Sequence, residues 1–326
     1  MSFSLIGTGS ALPKTIQTNS DLTAFLDTSH DWILSRTGIE ARHICIEESI
    51  LDIALSASIN ALENAGIDPK NLDLIICPTL GGDTITPSLA CMVQEKLGAT
   101  CPAFDINAAC SGFVYGLDVA DAYLSRGKPM TILIIAADAM SKLVDWTDRS
   151  TAVLFADGAG AAVLTNGNDL KSIYLSSVGN QHALCIPWAK GNHPGLLDKE
   201  LPIPYLTMDG PEVYRFAITA ICDDLKRVTR DADIALEDLD LIIPHQANLR
   251  IIESAAKRLK LPMEKFVVRV KNQGNTSAAS IPLVLDDLNR HGQLKPGMLI
   301  ALTAFGGGLT TGACVLKWSK QSNNQK

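Results

Sequence analysis

The sequence predicts an α/β fold built from two duplicated halves. Two observations support this prediction: short apolar segments alternate with amphipathic ones, and two sequence matches recur at one offset along the chain. Strands that alternate with helices are typical of βαβ units and of a largely parallel sheet. The chain has 326 residues, of which 47% are hydrophobic and 19% charged, so it can bury a large core.

Four apolar runs have the length and composition of buried strands, and five stretches carry apolar residues at helical spacing. The predicted strands are residues 72–78, 131–137, 239–244 and 298–303. The predicted helices are residues 53–65, 111–125, 211–229, 249–259 and 277–290. The longest apolar run, residues 132–137, is far shorter than the roughly 20 residues that cross a bilayer, so we expect no membrane association.

An internal repeat relates the two halves of the sequence. Residues 71–78 (NLDLIICP) resemble residues 238–245 (DLDLIIPH), and residues 128–135 (KPMTILII) resemble residues 295–302 (KPGMLIAL). Both matches have an offset of 167. A polar, turn-rich stretch at residues 166–169 lies between the halves. We therefore predict an N-terminal half of residues 1–167 and a C-terminal half of residues 168–326.

Cys110 is the first candidate for chemistry. Small residues surround it, and a predicted helix follows at once. A thiol at a helix N-terminus is expected to have a lowered pKa, because the amide dipoles favour the thiolate. The alternative is a small buried residue packed at a tight turn between strand and helix.

Asn275 holds nearly the same place in the second half, at an offset of 165 from Cys110. Both residues precede an amphipathic helix, so the two helix starts are expected to meet near a pseudo-twofold axis, where a pocket is the predicted site. Asn is a neutral donor that suits a developing oxyanion. The alternative role for Asn275 is a helix N-cap.

His245 directly follows a predicted strand, at the edge where α/β sheets place ligand-binding groups. Its alternative role is a hydrogen bond that caps the next helix. Residues 304–312 (AFGGGLTTG) contain three consecutive glycines, whose backbone either approaches a ligand or forms a hairpin turn. Residues 157–161 (DGAGA) are interpreted as a tight connection between strands.

Charge restricts the possible partners. The net charge of −7 argues against broad nucleic-acid binding. A local basic patch stands on the predicted helix 249–259, where Arg250 and Lys257 lie nearly in line, close after His245. Such a patch on an acidic protein suits an acidic macromolecular partner, although most charged helix faces are only solvated surface.

The eight cysteines include no C-x-x-C pair, and the chain has no H-E-x-x-H motif. Neither a zinc site nor a dithiol redox site is therefore expected. The first residues lack the basic start of a secretory signal. We expect reduced thiols, a cytoplasmic location and no bound metal.

Taken together, these segments resemble the β-ketoacyl-acyl-carrier-protein synthase III family of the thiolase superfamily. The resemblance covers nearly the whole chain, and the order of the Cys, His and Asn motifs is specific. The motifs are residues 6–13 (IGTGSALP), 31–39 (DWILSRTGI), 105–116 (DINAACSGFVYG), 157–163 (DGAGAAV), 244–251 (PHQANLRI), 274–280 (GNTSAAS) and 304–308 (AFGGG).

The resemblance implies a five-layered αβαβα fold and a homodimer. It implies that Cys110, His245 and Asn275 are catalytic and that the N–H groups of Cys110 and Gly307 form an oxyanion hole. Members of the family condense an acyl-CoA primer with malonyl-acyl-carrier protein and release CoA and carbon dioxide. This reaction begins type II fatty-acid synthesis and uses no metal or redox cofactor.

Further site residues follow from the same resemblance. The CoA is expected to contact Thr28, Trp32, Arg36, Arg149 and Asn248, with its adenine between Trp32 and Arg149. The acyl pocket is expected at Thr86, Leu184 and Phe305. The carrier-protein docking patch is expected at Arg215, Arg250 and Lys257.

Three positions depart from the family's pattern. Pro211 stands where relatives often have Asn, Thr311 replaces a common Trp, and Thr86 replaces a Phe that many relatives carry at the floor of the acyl pocket. In this family the residue at that position comes from the partner subunit. Thr86 therefore predicts a pocket that accepts primers longer or bulkier than acetyl, unless Leu80 or Leu184 fills the space instead.

Two other functions stay open on sequence alone. One is a related condensing enzyme of secondary metabolism with a different primer or acceptor. The other is a non-enzymatic relative that only binds the carrier protein, and the presence of Cys110, His245 and Asn275 together argues against it.

Overall fold

A computed structural model describes residues 2–187 and 205–320 of the chain. Its strands are β1 (Ser2–Ala11), β2 (Thr15–Thr18), β3 (Ala41–Ile44), β4 (Leu74–Pro78), β5 (Ala103–Ile106), β6 (Thr131–Ala139), β7 (Asp157–Gly167), β8 (Leu170–Ser177), β9 (Leu184–Cys185), β10 (Thr207–Met208), β11 (Leu241–Pro244), β12 (Leu299–Gly306) and β13 (Thr310–Lys317). Its α-helices are α1 (Asn19–Leu22), α2 (His30–Thr37), α3 (Ile50–Ala65), α4 (Leu89–Leu97), α5 (Gly112–Leu124), α6 (Arg149–Ala152), α7 (Gly210–Asp231), α8 (Leu249–Leu259), α9 (Val270–Gln273) and α10 (Ser280–Arg290).

The long strands form two main sheets. The first has the order β1-β7-β6-β4-β5 and the second the order β11-β12-β13-β8. Both sheets are mixed: β4 runs parallel to β5 and β6, and β11 runs parallel to β12, whereas the other pairs are antiparallel. The expectation of a largely parallel sheet is therefore wrong. The error arose from the segment 157–161, which was interpreted as a connection between strands but begins the antiparallel strand β7.

The internal repeat of the sequence is visible in the sheets. Strands β4, β6, β7 and β1 correspond to β11, β12, β13 and β8, in the same order and with the same relative directions. In the second sheet, a parallel bridge between Ile242 and Phe266 occupies the position that the β4–β5 pair occupies in the first sheet. The predicted duplication is therefore confirmed.

Alternate residues of the buried strands face opposite sides of each sheet, as the pleat requires. On β4, Ile75 packs against α3 and α4, whereas Ile76 faces the central helices α5 and α10 between the two sheets. On β11, Ile243 faces the same central helices and Ile242 packs against α7 and α8. The layers are helix, sheet, helix, sheet and helix, which confirms the five-layered αβαβα fold.

Local signals account for the helix ends. The Ser49 side chain caps α3 by accepting a backbone N–H, and Gly66 ends this helix in the left-handed conformation. Helix α8 has its predicted bounds, residues 249–259. The last predicted helix begins later than expected, at Ser280, because residues 277–279 form a 3-10 turn.

Among the described residues, no helix has both the length and the apolar character that crossing a membrane requires. All eight cysteines are free thiols. In the same part of the chain, no group of three His, Cys, Asp or Glu side chains is arranged to hold a metal ion.

Candidate active site

Cys110 lies in a tight turn where the two sheets meet the central helices. Residues 109–111 form a 3-10 turn that leads directly into α5, and Ala109 has a positive φ of 47°. Only 8% of the Cys110 surface is exposed. The thiol therefore stands at the start of a buried helix, as the sequence predicts.

The thiol is not activated in the resting protein. Burial raises the pKa of Cys110 to about 12; the Ser277 hydroxyl opposes this shift and Asp138 adds to it. The dipole of α5 favours the thiolate, whereas burial, the largest influence on this pKa, favours the neutral thiol. The expectation of a lowered thiol pKa is therefore wrong, because a local sequence pattern does not reveal how deeply a turn is buried.

The glycine loop between β12 and β13 packs directly on this turn. A side-chain carbon at Gly306 would lie 2.6 Å from the backbone nitrogen of Cys110, so only glycine permits the approach. Gly307 follows, with Leu184 packed against it. The loop is thus a hairpin turn and also a close backbone contact to the candidate nucleophile.

Two hydroxyl groups tie the glycine loop to the Cys110 turn. The side-chain oxygens of Ser111 and Thr310 lie 2.6 Å apart. The Thr310 hydroxyl also lies 3.0 Å from the Ala108 carbonyl oxygen and 3.1 Å from the Gly307 carbonyl oxygen. These contacts fix the two loops that carry the predicted oxyanion-hole donors, and a fixed geometry is what such a site requires.

His245 is fully buried at the carboxyl end of β11. Its Nδ1 lies 2.6 Å from the Ser280 Oγ, which also accepts the Gln246 backbone N–H at 3.3 Å. We assign the Ser280 hydroxyl as the donor to Nδ1, which places the imidazole proton on Nε2. Burial lowers the pKa of His245 to about 3, and the ring is neutral. Phe305 packs against this ring with 5.2 Å between the centroids.

Asn275 is held by the other half of the molecule. Its backbone N–H donates to the Leu154 carbonyl, and its carbonyl accepts the Ala156 N–H, both at 2.9 Å. Its Oδ1 accepts the Ser277 N–H at 3.0 Å, which orients the amide and leaves Nδ2 as the donor toward the site. Asn275 does not cap α10, which begins five residues later at Ser280.

The structure thus brings the three predicted catalytic residues into one region. The Ser277 hydroxyl approaches the Cys110 thiol, and its N–H bonds Asn275. Three residues further along the same segment, Ser280 contacts His245. The cysteine comes from one half, and the histidine and asparagine come from the other.

A cavity of about 810 Å³ opens beside Cys110, a volume typical of small-molecule sites. Its apolar wall includes Leu80, Met140, Leu143, Leu184, Ile186 and Leu206. Leu184 therefore lies where the sequence predicts it. Thr86 and Phe305 do not form part of this wall: Thr86 is exposed in the loop after β4, and Phe305 lies behind His245.

The predicted CoA residues lie around α2 and the start of α8. The Arg149 guanidinium carbon lies 5.0 Å from the centroid of the Trp32 ring. No flat base fits between them at this spacing, because two stacked contacts need about 7 Å. Asn248 caps α8 and donates its Nδ2 to the Arg36 carbonyl at 3.1 Å. The Thr28 hydroxyl is buried without a hydrogen-bond partner in the described part of the chain.

The predicted docking residues are exposed on two adjacent helices. Arg215 lies on α7, and Arg250 and Lys257 lie on α8. Tyr214 connects the helices: its OH lies 2.8 Å from the Ser254 Oγ, and the Arg250 guanidinium carbon is 5.9 Å from its ring centroid. The patch adjoins the site, because α8 starts shortly after His245.

Several residues that support the site were not predicted from the sequence. Asp138 is a buried carboxylate near the carboxyl end of β6. A charged residue directly after an apolar run was the available signal, because ligand groups gather at this edge of a sheet. Ser277 and Ser280 were also passed over, although both lie in the segment considered for Asn275. Thr310 carried no comparable signal.

The duplicated five-layered architecture, with a cysteine at the start of a central helix, defines a thiolase-fold enzyme. Two family models match the chain. The model for 3-oxoacyl-acyl-carrier-protein (ACP) synthase III matches residues 104–181, and the model for the C-terminal part of that enzyme matches residues 229–318. The chain belongs to the 3-oxoacyl-acyl-carrier-protein synthase III family.

Relatives match over nearly their full length. The chain is 44% identical over 323 residues to the β-ketoacyl-acyl-carrier-protein synthase III of Clostridium acetobutylicum, which covers 98% of this chain and 99% of the relative. A solved 3-oxoacyl-acyl-carrier-protein synthase III from Aquifex aeolicus has a TM-score of 0.90 and 43% identity, covering 97% of this chain and 100% of that one. The corresponding Pseudomonas aeruginosa structure has a TM-score of 0.91 and 38% identity, covering 98% and 99%. The family recognised from the motifs is confirmed.

We expect the His245 ring to remain neutral, with its proton on Nε2, from pH 8 down to pH 5. Burial lowers its pKa from 6.5 to about 3. The unfolded chain therefore takes up a proton first, and the contribution of His245 to stability falls as the pH drops from about 6.5 toward 3. Imidazole ¹⁵N shifts in NMR test this, with His245→Gln to assign the signal. A titration midpoint near 6.5 in the folded protein would contradict it.

Proposed function

We propose that this protein is an acyltransferase that condenses an acyl-CoA primer with malonyl-acyl-carrier protein and so initiates type II fatty-acid synthesis. The proposal is carried by the meeting of Cys110 with His245 and Asn275 at the junction of the two halves. The names of the relatives support the same reaction. No observation favours a condensing enzyme of secondary metabolism or a non-enzymatic role.

In the first half-reaction, the Cys110 sulfur attacks the thioester carbonyl of the acyl-CoA and becomes acylated. The N–H groups of Cys110 and Gly307 donate to the oxyanion of the tetrahedral intermediate. The contact between Ser111 and Thr310 holds the two loops that carry these N–H groups in a fixed relative position. CoA then leaves, and the acyl chain occupies the apolar cavity beside the nucleophile.

In the second half-reaction, malonyl-acyl-carrier protein loses carbon dioxide and leaves an enolate. His245 Nε2–H and Asn275 Nδ2–H donate to the enolate oxygen, since each side chain has its other polar atom engaged. The enolate carbon attacks the acyl-cysteine. Two neutral donors suit this step, because a nearby carboxylate would repel both the malonate and the enolate.

The surface around Trp32 is proposed to bind CoA. Arg36 offers an exposed cation for phosphate, and the Asn248 amide retains one hydrogen beside the one that it donates to the Arg36 carbonyl. The Thr28 hydroxyl is buried without a partner among the described residues and has to become exposed to contact CoA. For the adenine to stack on Trp32, Arg149 has to move away from the ring that it covers in the free protein. Adenine then replaces one cation–π contact by two stacking contacts.

The active form is proposed to be a homodimer. Strand β5 is an edge of the first sheet, and Ile85 in the loop after β4 is 78% exposed. An open strand edge beside a large exposed apolar side chain favours pairing with a second copy. In that dimer, Thr86 of the partner subunit closes the acyl cavity, which in the single chain is walled by Leu184 and its neighbours.

Two further assignments belong to the proposal. The enzyme is placed in the cytoplasm, where its eight free cysteines stay reduced. The second assignment is the boundary between the two halves of the fold, which we place between residues 1–167 and residues 168–326. The short link between β7 and β8, residues 168–169, supports this boundary.

The exposed cations Arg215, Arg250 and Lys257 are proposed to dock the acidic carrier protein. They project from α7 and from α8, which begins shortly after His245, whereas the protein as a whole has a net charge of −7. A positive patch on an acidic protein steers an acidic partner to one orientation. This orientation delivers the malonyl arm to the site.

We expect His245→Ala and Asn275→Ala to spare acyl transfer and to reduce malonyl decarboxylation by about 100- to 1000-fold, the usual cost of losing one such donor. Cys110→Ala should abolish acylation. The assay combines acyl-CoA and malonyl-carrier protein and follows acyl-enzyme, carbon dioxide and product by mass spectrometry. Equal loss of both half-reactions in His245→Ala and Asn275→Ala would mean that these roles are wrong, and absence of product in the wild type would defeat the proposed function.

We expect primers longer than acetyl to compete well, because each methylene that the cavity buries contributes about 0.8 kcal/mol, close to fourfold in specificity. Thr86→Phe should shorten the preferred primer, and the nearly isosteric Thr86→Val should leave it unchanged. The measurement is kcat/KM for acetyl-, butyryl-, hexanoyl- and octanoyl-CoA. Strict preference for acetyl-CoA in the wild type would contradict this prediction.

We expect Arg250→Glu to raise the KM for malonyl-carrier protein and to weaken the dependence of that KM on salt, because an attractive charge is reversed at the docking surface. The rate of acylation by acyl-CoA should change little. Lys226→Glu, an exposed cation elsewhere on α7, is the matched control. An unchanged KM in Arg250→Glu would remove this residue from the docking surface.

A further inference from the structure

A buried carboxylate lies beneath the nucleophile and has no part in the mechanism so far. Asp138 is almost fully buried near the end of β6. Its Oδ1 accepts the Leu80 N–H at 2.7 Å and the Thr79 hydroxyl at 3.2 Å. Its Oδ2 accepts only the Ala278 N–H, at 3.2 Å, among the described residues. This oxygen therefore has a free position for a further donor.

Ser277 lies between this carboxylate and the thiol. Its side chain is fully buried, and the turn of residues 277–279 packs against both the Cys110 turn and strand β6. The Ser277 hydroxyl lowers the pKa of both Cys110 and Asp138, yet it makes no hydrogen bond to any described residue in the free protein. Its backbone has a φ of 52°, which a non-glycine residue adopts only under constraint. The constraint comes in part from its N–H, which bonds Asn275.

The acyl-transfer step needs a group that accepts the thiol proton. Burial raises the pKa of Cys110 to about 12, so the free thiol is protonated. His245 is a poor acceptor, because burial lowers its pKa to about 3 and its Nδ1 is occupied by Ser280. Burial raises the pKa of Asp138 to about 6, so its carboxylate is ionised at neutral pH and is a far stronger base than the imidazole.

We propose that Ser277 relays the Cys110 proton to Asp138 during acyl transfer, and that Asp138 returns it after condensation. This inference rests on the proposed acyl-transfer function. In this relay Ser277 is the group that takes the proton from the sulfur, whereas Asp138 acts through Ser277.

Each proton can be followed through one complete catalytic cycle. As the Cys110 sulfur bonds the acyl carbon, its proton passes to Ser277 Oγ, and the Ser277 proton passes to Asp138 Oδ2. CoA leaves as a thiolate and takes a proton from solvent. In the condensation, the enolate carbon bonds the acyl carbon and the bond to Cys110 breaks. The released thiolate then recovers the stored proton through Ser277.

The proton held by Asp138 also changes the electric field in the active site. While Cys110 carries the acyl group, Asp138 is neutral. A neutral Asp138 does not repel the malonyl carboxylate or the enolate that follow. The charge of Asp138 acts on two buried thiols, Cys110 and Cys77 of β4. Burial, together with the charges of Asp105 and Asp138, raises the pKa of Cys77 well above its usual value.

The test is the rate of acyl-enzyme formation, measured by rapid quench and intact mass from pH 5 to pH 9 with saturating acyl-CoA. In the wild type the rate should rise through a midpoint near 6 and then level off. In Ser277→Gly, whose backbone suits the positive φ, the rate at pH 7 should fall on the order of 100-fold, the usual contribution of a general base. The midpoint near 6 should vanish, and the rate should keep rising to pH 9.

Asp138→Asn should give the same altered pH profile, and thermal melting checks that both variants fold. Ser58→Ala, which removes a buried hydroxyl within α3, is the matched control and should keep the wild-type profile. A midpoint near 6 that persists in Ser277→Gly, or rates within twofold of the wild type, would overturn the relay. Failure of the wild type to form any acyl-enzyme would instead reject the proposed function.

Discussion

The active site depends on each half of the molecule holding the reactive group of the other. Backbone hydrogen bonds from residues 154 and 156 of the first half position Asn275 of the second half. The glycine hairpin of the second half in turn packs on Cys110, and the contact between Ser111 and Thr310 locks the two together. The duplicated fold is thus a requirement for the chemistry, because neither half alone contains the full set of groups.

Burial determines the electrostatics of this junction. The same loss of hydration raises the pKa of the Cys110 thiol and lowers the pKa of the His245 imidazole, so both are uncharged at rest. Once Cys110 is acylated and Asp138 holds the proton, the site carries no negative charge when the anionic second substrate and the enolate arrive. The neutral thiol then needs a route for its proton. The buried hydroxyl of Ser277 and the carboxylate of Asp138 provide the one that we infer.

The sequence predicted the parts of the fold that carry strong periodicity, and missed those that do not. Helix α8 has its predicted bounds, and the apolar runs at β4, β6, β11 and β12 are strands. Strand β7 was misread because glycine and alanine alternate after Asp157 and give no pattern of large apolar side chains. The glycines pack closely against α10, and the alanines face α3. Motif order located Cys110, His245 and Asn275. Depth of burial, and with it the thiol pKa, follows from tertiary packing and could not be predicted locally.

Contacts between distant segments were equally inaccessible to sequence reasoning. The packing of Phe305 against His245 and the direct contact of Arg149 with Trp32 both depend on how separate loops converge.

The proposed chemistry requires that Cys110 alone becomes acylated. To test this, the wild type is incubated with acyl-CoA and digested, and the thioester is mapped by mass spectrometry. We expect a thioester on Cys110 only. A thioester on Cys185, the other thiol lining the cavity, would contradict it.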